Sequence, residues 1–279
     1  MNIKSLKTSG VVRLPYPRDL RIQVEKTQRS WRKFCAMPLK TKQKFAYSNE
    51  SAGVGYEMKR GSGRMGDFKE NFDIAFVGER YLKALLWSGK LNRESRTIAS
   101  EFVNNAIMLV TSMSSFVIEF AHECEKSFGL KGFTSEIANG SDAFFVRFIH
   151  YPPQKSKGES TAHAHPDQSG FTLHLFESAS GLECLTYGGK WVAMPVSKKE
   201  TVIIPDMQMQ LRSKGSLRAL WHRVTATTAT ARTGRYSAVS FIQFKDTPKY
   251  DKDRHGRLQE MQEGFNYKMP YVKFRKLFK

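Results

Sequence analysis

Hydrophobic residues follow two different spacings along the chain, and the change falls near Gly129. Before it, residues 93–127 carry apolar side chains at steps of three and four, which predicts one long amphipathic helix. Met108 and Met113 are expected to fill the core, because unbranched methionine side chains pack into irregular gaps. The predicted apolar stripe comprises Ile98, Phe102, Val103, Ile107, Val110, Met113, Val117, Phe120 and Cys124.

The residues before this helix predict a strand, an interrupted helical segment and a loop. Residues 9–17 (SGVVRLPYP) are β-branched and end in prolines, as an opening strand does. Residues 19–47 suit helices that break near Pro38, since proline cannot donate the helical hydrogen bond. The glycine-rich residues 51–74 are expected to form a connector, because no Gly-Lys-Ser/Thr phosphate-binding signature follows them. The predicted buried face of the helical segment consists of Ile22, Val24, Trp31, Phe34 and Phe45.

After Gly129 the chain consists of short apolar or β-branched segments separated by Gly, Ser and Pro. Many short strands in succession are typical of a sandwich or a jelly roll. We therefore expect an α+β protein, mainly β with flanking helices, in which a helical N-terminal half packs on an all-β C-terminal half. The predicted strands are 144–151, 171–176, 182–187, 191–194, 201–205, 207–212, 217–225 and 235–244.

Composition and charge narrow the function classes. Hydrophobic residues make up 40% of the chain and aromatic residues 12%, which indicates a packed protein and not a disordered one. The net charge of +19 would attract nucleic acid, acidic lipid or a small acidic substrate, although a solvated basic surface is the simpler interpretation. Much of the excess lies at the two ends, with 16 Lys and Arg against 6 Asp and Glu in residues 1–70, and 10 against 5 in residues 245–279.

The chain shows no signal for a membrane or a secretory route. It has no run of about 18 apolar residues, so no membrane span is expected, and its N-terminus lacks an apolar signal region. Its cysteines, Cys35, Cys124 and Cys184, are odd in number and far apart, which fits neither a disulfide framework nor a Cys-x-x-Cys zinc site. A cytoplasmic location is expected, and the sequence leaves the oligomeric state open.

Residues 161–176 (TAHAHPDQSGFTLHLF) contain three of the seven histidines and predict a metal site. Two imidazoles and one carboxylate leave coordination positions open on an iron ion. His165 and Asp167 are two residues apart and would point the same way along a strand edge. The second imidazole would come from His222 in the strand-like ALWHRVT. His163 is an alternative fourth ligand or proton donor, although a loop position touching substrate or solvent is favoured, and His174 is expected to be structural or substrate-facing.

An anion site is predicted further along the chain. Arg235 and Ser237 share one face of the strand GRYSAVSF (234–241), with Val239 and Phe241 on the same side. An inward arginine is costly unless it meets an anion, and its fork together with a hydroxyl suits one carboxylate of a dicarboxylic acid. Tyr151, at the end of RFIHYPP, could add a hydrogen bond to the same anion.

Six landmarks then occur in a characteristic order: HYPP, HPDQSGFTLHLF, GLECL, GGKW, WHRV and RYS. With SGVVRLPYP, WRKFCAMPLKTKQKFAY, GVGYE and GDFKENFDI before them, the chain resembles the iron(II)- and 2-oxoglutarate-dependent dioxygenases of the isopenicillin N synthase-like family. The resemblance covers most of residues 9–245. It implies a double-stranded β-helix (jelly-roll) core and a metal site that uses Fe(II), 2-oxoglutarate and O2.

The resemblance also assigns roles to residues of this chain. His165, Asp167 and His222 match the iron ligands, Arg235 and Ser237 match the pair that binds the distal carboxylate of 2-oxoglutarate, and Tyr151 matches a co-substrate-binding tyrosine. The implied reaction oxidises an unactivated C–H bond of a small molecule, most commonly by hydroxylation, with desaturation or cyclisation as variants, and releases succinate and CO2. Two departures stand out: the segment between His222 and Arg235 is longer than usual, which predicts an extended hairpin, and Ile149 replaces a polar Asn found in many members.

The predicted organisation is a helical region over 1–130, a catalytic core over 131–247, and a basic C-terminal extension over 248–279 that closes the barrel mouth as a helix or lid. The Lys and Arg of residues 59–67 and 152–161 favour an acidic or amino-acid-like substrate. Two alternatives remain open. One is an oxidase of the same family that does not use 2-oxoglutarate. The other is a protein whose tail, YKMPYVKFRKLFK (267–279), binds nucleic acid or an acidic membrane, which the motif set disfavours.

Overall fold

A long helix, α5, runs through the helical side of the protein and organises the fold. The computed structural model describes residues 1–59, 68–140, 143–153 and 158–244. Asn92 caps α5 by accepting the Ser95 amide hydrogen bond, and Gly129 ends it in the left-handed conformation. The helices in the described residues are α1 Ser5–Thr8, α2 Arg18–Cys35, α3 Leu39–Lys42, α4 Glu79–Trp87, α5 Arg93–Phe128, α6 Phe133–Asn139, α7 Met207–Arg212 and α8 Thr228–Thr233, with 3-10 turns at Gln43–Phe45 and Phe76–Gly78.

Two antiparallel sheets form the β half. The larger sheet has the order β1-β9-β6-β11-β4-β3-β2 and the smaller one β5-β10-β7-β8. The order of strands far apart in sequence is that of a jelly roll, so the predicted fold class is confirmed. The strands are β1 Val12–Pro15, β2 Gly55–Lys59, β3 Lys69–Ile74, β4 Phe144–Tyr151, β5 Ser160–His165, β6 Phe171–Glu177, β7 Leu182–Leu185, β8 Trp191–Ala193, β9 Glu200–Pro205, β10 His222–Thr225 and β11 Arg235–Ile242.

Aromatic packing joins the helices to one face of the larger sheet. Trp31 of α2 lies 5.1 Å from Phe102 of α5 and 5.8 Å from Phe148 of β4, measured between ring centroids. Phe34 and Phe72 complete this group, and all five side chains are fully buried. The opposite face of the sheet is therefore free to face the smaller sheet and to line a cavity between them.

The long helix passes a membrane-span test by length and composition alone. Its apolar stripe, however, packs against α2 and α6 and includes the fully buried Phe102, Val103, Met113 and Phe120. A buried stripe of this kind is typical of the core helix of a globular protein.

Several local predictions were wrong. Ile22 and Met108 are exposed, because they lie off the buried faces of α2 and α5. The expected connector at 51–74 supplies β2 and β3, which extend the larger sheet. The expected strand at 207–212 is α7, and only residues 222–225 of the expected strand at 217–225 are extended. The expected extended hairpin before Arg235 is instead α8, where Thr227 and Thr230 form a reciprocal capping box.

One apolar cluster includes residues of α2, α5, β4, β6 and β11, so the helical and β regions share a core. The domain boundaries at 130/131 and 247/248 stay predictions. The C-terminal extension and the segment 60–67 lie outside the described residues.

Candidate active site

Two histidines are direct cross-strand neighbours in the smaller sheet. His165 is the last residue of β5 and pairs in register with His222, the first residue of β10. Their ring centroids are 4.6 Å apart. The segment between them in the sequence forms β6 to β9 and α7. The fold therefore brings together two residues that are far apart in the sequence.

Asp167 completes a three-residue cluster. Its Oδ1 lies 3.5 Å from His165 Nε2 and its Oδ2 lies 3.4 Å from His222 Nε2. The expectation that His165 and Asp167 share one strand edge was wrong in detail, because β5 ends at His165 and Asp167 lies in the turn after Pro166. The turn is held by the Met207 amide, which donates to the Asp167 carbonyl oxygen at 3.0 Å.

Backbone carbonyl groups orient both imidazoles. His165 Nδ1 donates to the His163 carbonyl oxygen at 2.6 Å, and His222 Nδ1 lies 3.3 Å from the Leu220 carbonyl oxygen. A carbonyl only accepts, so these contacts place the proton on Nδ1 and leave the lone pair of each Nε2 directed at the cluster. This is the arrangement in which metal-binding histidines are usually held.

Burial and nearby charges shift the pKa values of these three residues in different directions. Burial alone would raise the pKa of Asp167, but the neighbouring His222 and His165, together with the hydrogen bond from Thr172, hold it far below its ordinary value. Burial lowers the pKa of His222. Burial acts in the same direction at His165, but the neighbouring Asp167 carboxylate and the His163 carbonyl group together outweigh it and raise the pKa of His165. Asp167 is therefore a carboxylate, which is the form a metal ion requires.

A metal ion fits this cluster. The ligand atoms of His165, Asp167 and His222 all lie within 4.8 Å of one another. Two neutral nitrogens and one carboxylate suit Fe(II), with positions left for exogenous ligands. The assignment of these three residues as the iron ligands stays a prediction.

A second group, Cys35, Glu70 and His150, meets the same distance criterion on the helical side of the sheet. Here the carboxylate oxygens of Glu70 are already occupied. Lys42 Nζ and the Tyr56 hydroxyl lie 2.6 and 2.7 Å from Oε2, and His150 Nδ1 lies 2.6 Å from Oε1. This group is a buried ion-pair cluster, and it places His150 on the side of β4 away from Tyr151, as the strand alternation predicts.

The predicted anion-binding residues line the cavity beside the His-Asp-His cluster. Tyr151, at the end of β4, pairs in register with Arg235, at the start of β11. The Arg235 Nη1 donates to Ser237 Oγ at 3.0 Å, so the Ser237 hydroxyl proton is available to a further acceptor. Tyr151, Arg235 and Ser237 are each no more than 4% exposed and line one cavity.

Glu177 was missed by the sequence reasoning. Its Oε2 accepts from Arg235 Nη2 at 2.7 Å, and its Oε1 accepts from the Val196 amide at 2.9 Å. Arg235 Nε also donates to the Ala179 carbonyl oxygen. The buried arginine therefore already has an anionic partner in the protein, and N–H groups beyond these contacts remain for a ligand.

Two other residues also line this cavity. Ile149 makes the cavity wall apolar, and Asn71 lies opposite it on β3. His174 lines the cavity on β6, and its Nε2 is buried without a hydrogen-bond partner. His163, expected in a loop, is in β5.

A second cavity lies on the outer side of the cluster and shares His165, Asp167, Arg147 and Phe241 with the first. Arg147 donates to both carboxylate oxygens of Asp73, at 2.7 and 2.6 Å, and its guanidinium lies 5.8 and 5.5 Å from the ring centroids of Phe145 and Phe241. The His-Asp-His cluster thus sits between an inner cavity that ends at Arg235 and an outer one with an aromatic wall.

Comparisons with known proteins agree with this geometry. Residues 141–244 match the model of the 2OG-Fe(II) oxygenase superfamily. The chain is also 29% identical over 144 residues to 1-aminocyclopropane-1-carboxylate oxidase 3 of Cucumis melo, a match that covers 50% of this chain and 42% of that protein. The matched part thus spans less than half of this curated relative.

Solved structures share the fold across most of the chain. A 2OG-Fe(II) oxygenase family protein from Caulobacter crescentus has a TM-score of 0.70 at 20% identity, covering 98% of this chain and 90% of that one. A full-length Neurospora crassa protein, crystallised in complex with alpha-KG, has a TM-score of 0.67 at 18% identity over 96% and 87%. The rice dioxygenase for auxin oxidation has a TM-score of 0.65 at 20% identity over 98% and 86%. Residues 141–244 are thus similar in sequence to the 2OG-Fe(II) oxygenase superfamily, and the solved structures share the fold over most of the chain.

Proposed function

We propose that this protein is an Fe(II)- and 2-oxoglutarate-dependent oxygenase that oxidises an unactivated C–H bond of a small molecule. The observation that carries the proposal is the convergence of His165 and His222 Nε2 on the Asp167 carboxylate, at one end of a cavity whose other end holds Arg235 and Ser237. That spacing suits a dicarboxylic 2-oxo acid with one end at the metal and the other at the guanidinium.

The residues of the chain have separable tasks in this reaction. His165, Asp167 and His222 would hold Fe(II), which together with 2-oxoglutarate and O2 supplies the oxidising power and yields succinate and CO2. Arg235 and Ser237 would bind the distal carboxylate, with Tyr151 beside them. The apolar residues Ile149, Leu182, Val224 and Val239 line the same cavity and exclude water from it.

For the substrate, we propose a small acidic or amino-acid-like molecule bound in the outer cavity. The guanidinium of Arg147 is fixed there by Asp73 and lies against Phe145 and Phe241, so the wall offers both a cation and an apolar surface. A planar guanidinium suits a carboxylate, and the aromatic rings suit an apolar body. Hydroxylation is the proposed outcome.

A second candidate is an oxidase of the same superfamily that does not use 2-oxoglutarate. Glu177 favours it, because its charge partly cancels the attraction of Arg235 for a second carboxylate. The two candidates differ in stoichiometry: the oxygenase releases one succinate per product, and the oxidase releases none.

The test measures Fe(II)-dependent conversion of 2-oxoglutarate to succinate across a panel of small acids, amino acids and neutral analogues. The proposal requires succinate release that one class of compound stimulates and that His222→Ala abolishes. The matched control is His122→Ala, which removes an exposed imidazole from α5 and should leave turnover intact. Undiminished turnover in His222→Ala, or product formation without succinate, would overturn the proposal.

A further inference from the structure

His174 lines the inner cavity, and the proposed function gives its side chain no role. Its side chain is buried, with 6% of the residue exposed, and its Nε2 has no hydrogen-bond partner in the described part of the protein. Leaving a buried polar atom without a partner is costly, and native proteins rarely do so without a reason. The unpaired nitrogen therefore points to a ligand.

A distortion of β6 places this imidazole in the cavity. Val239 of β11 pairs with His174, whereas the preceding Ala238 pairs with Phe176, so Leu175 is an extra residue in β6. The bulge turns both His174 and Glu177 towards the cavity side of the sheet and leaves Leu175 and Phe176 in the core. The Thr201 hydroxyl donates to the His174 carbonyl oxygen and fixes the backbone at this point.

His174 lies between the two ends of the cavity. Its ring meets His222 edge-on, with the centroids 5.9 Å apart, and its strand also carries Glu177, which holds Arg235. The side chain lines the cavity that also holds Arg235 and Ser237, and its Nε2 is buried without a hydrogen-bond partner among the described residues. A neutral imidazole can donate one hydrogen bond, and a carboxylate, which only accepts, would select the tautomer with the proton on Nε2.

The charge balance at Arg235 explains why such a donor is needed. Glu177 takes one N–H group and neutralises much of the guanidinium charge, so an incoming carboxylate gains less there than at a lone arginine. Neutral donors then supplement the N–H groups that Arg235 still offers to a ligand. The Ser237 hydroxyl is one, since its oxygen already accepts from Arg235, and the His174 Nε2–H is a second.

We infer that His174 binds the distal carboxylate of the dicarboxylic co-substrate through Nε2, as a third donor beside Arg235 and Ser237. This inference rests on the proposed function. It is a role in binding, and it is separate from that of the iron ligands, because His174 is outside the group of converging ligand atoms.

The test compares binding of two 2-oxo acids to the Mn(II)-loaded full-length protein by titration calorimetry. These are 2-oxoglutarate and 2-oxopentanoate, which has the same chain length without the distal carboxylate. His174→Leu should weaken 2-oxoglutarate binding ~10-fold or more, and leave 2-oxopentanoate binding and Mn(II) affinity within ~3-fold. His174→Gln, which restores a donor, should keep 2-oxoglutarate binding within ~3-fold of wild type. His122→Leu is the matched control and should change nothing.

Thermal unfolding without ligand shows whether His174→Leu loses stability, which would by itself weaken ligand binding. His174→Leu should unfold at the same temperature as wild type or higher, because it removes a buried polar atom that has no hydrogen-bond partner in the described part of the chain. Equal 2-oxoglutarate affinity in wild type and His174→Leu would overturn the inference, as would an equal loss for both 2-oxo acids. Failure of the wild type to bind 2-oxoglutarate at all would instead overturn the proposed function, and this inference with it.

Discussion

The guanidinium of Arg235 forms an ion pair with Glu177, with 2.7 Å between Nη2 and Oε2, and each side chain is only 4% exposed. The pair spans β11 and β6 and lies at the far end of the cavity from the His-Asp-His cluster. Removing one member of a buried pair leaves the other charge without compensation. A ligand carboxylate that reaches Arg235 would supply that compensation.

Glu177→Gln should therefore destabilise the protein and make it more responsive to dicarboxylates. We expect a loss on the order of 2–4 kcal/mol in the free energy of unfolding, and a larger rise in melting temperature on adding 2-oxoglutarate than wild type shows. Differential scanning fluorimetry with and without the ligand measures both effects. Equal ligand-induced shifts in the two proteins would contradict the prediction.

The matched control is Glu183→Gln, which breaks the pair between Glu183 and Arg223 on the smaller sheet. These side chains are 26% and 34% exposed. A pair this accessible to water is worth less than about 1 kcal/mol, and its loss should not depend on 2-oxoglutarate.

Asp206 supports Asp167 through Thr172. Thr172 Oγ1 lies 2.7 Å from Asp167 Oδ2 and 2.9 Å from Asp206 Oδ2, and Ser169 Oγ lies 2.5 Å from the same Asp206 oxygen. Two hydroxyl protons cannot serve three contacts to carboxylates. Burial and the nearby charge of Asp167 raise the pKa of Asp206 well above its ordinary value, so a neutral Asp206 donates to Thr172, which donates to Asp167.

This proton arrangement predicts different outcomes for two substitutions at one position. Asp206→Asn keeps the shape and the absence of charge, so Fe(II) affinity should stay within about 3-fold of wild type. Asp206→Ala removes the support of Thr172 and should weaken Fe(II) binding about 10- to 100-fold. Anaerobic metal titrations decide between the two, and an Asn variant as weak as the Ala variant would show that Asp206 is ionised.

The site motifs could be read from the sequence because each lies at the end of a short strand. His165 ends β5, His222 begins β10, and Tyr151 and Arg235 end and begin neighbouring strands. A motif at a strand end can be recognised from its residue types and their spacing, even when the strand limits are uncertain by a residue or two. Their order and spacing therefore carried the resemblance to the oxygenase family.

Glu177 could not be found in the same way. Strand alternation puts His174 and Glu177 on opposite faces, since they are three residues apart, and only the bulge at Leu175 brings them to one side. Nothing in the sequence FTLHLFES marks that bulge. Helix α8 was not predicted for a related reason. Its threonines disfavour a helix, and the capping box of Thr227 and Thr230 overrides that preference.

Glu70 anchors the ion-pair cluster that joins the helical side to the sheet. Burial alone would raise its pKa, but hydrogen bonds from His150, Lys42 and Tyr56 outweigh burial and lower it. Glu70→Gln leaves the buried Lys42 ammonium without its carboxylate and should cost about 3–5 kcal/mol at pH 7. Glu79→Gln, which breaks the exposed pair with Lys83 in α4, should cost less than about 0.5 kcal/mol.

The pKa of Glu70 determines how the stability difference between wild type and Glu70→Gln changes with pH. Because the folded-state pKa of Glu70 lies below the ordinary value of 4.5, its stabilising contribution is complete above that value and is lost as pH falls through the folded pKa. The difference in unfolding free energy between wild type and Glu70→Gln should be constant from about pH 5 upward and shrink below about pH 4. Urea unfolding across this range measures it, and a difference that grows on acidification would contradict the assignment.

Gly234 joins α8 to β11 in a conformation that favours glycine, with φ 70° and ψ −176°. A Cβ atom there would lie 2.6 Å from the Tyr151 carbonyl oxygen, so Gly234→Ala must displace either Tyr151 or Arg235. Backbone strain alone costs about 1–3 kcal/mol, and the collision adds to it. We expect lower thermal stability together with 2-oxoglutarate binding at least ~10-fold weaker, which corresponds to about 1.4 kcal/mol.

Gly189 is the matched control for this substitution, because it also has a positive φ, 80°, but no heavy atom lies within 4 Å of its added Cβ. Gly189→Ala should cost about 1 kcal/mol and leave ligand binding unchanged. Calorimetry of both variants with 2-oxoglutarate separates the backbone penalty, which they share, from the displacement at the carboxylate end of the cavity, which only Gly234→Ala causes. If both variants lost stability equally and bound 2-oxoglutarate as wild type does, the close approach of Gly234 to Tyr151 would have no part in shaping the site.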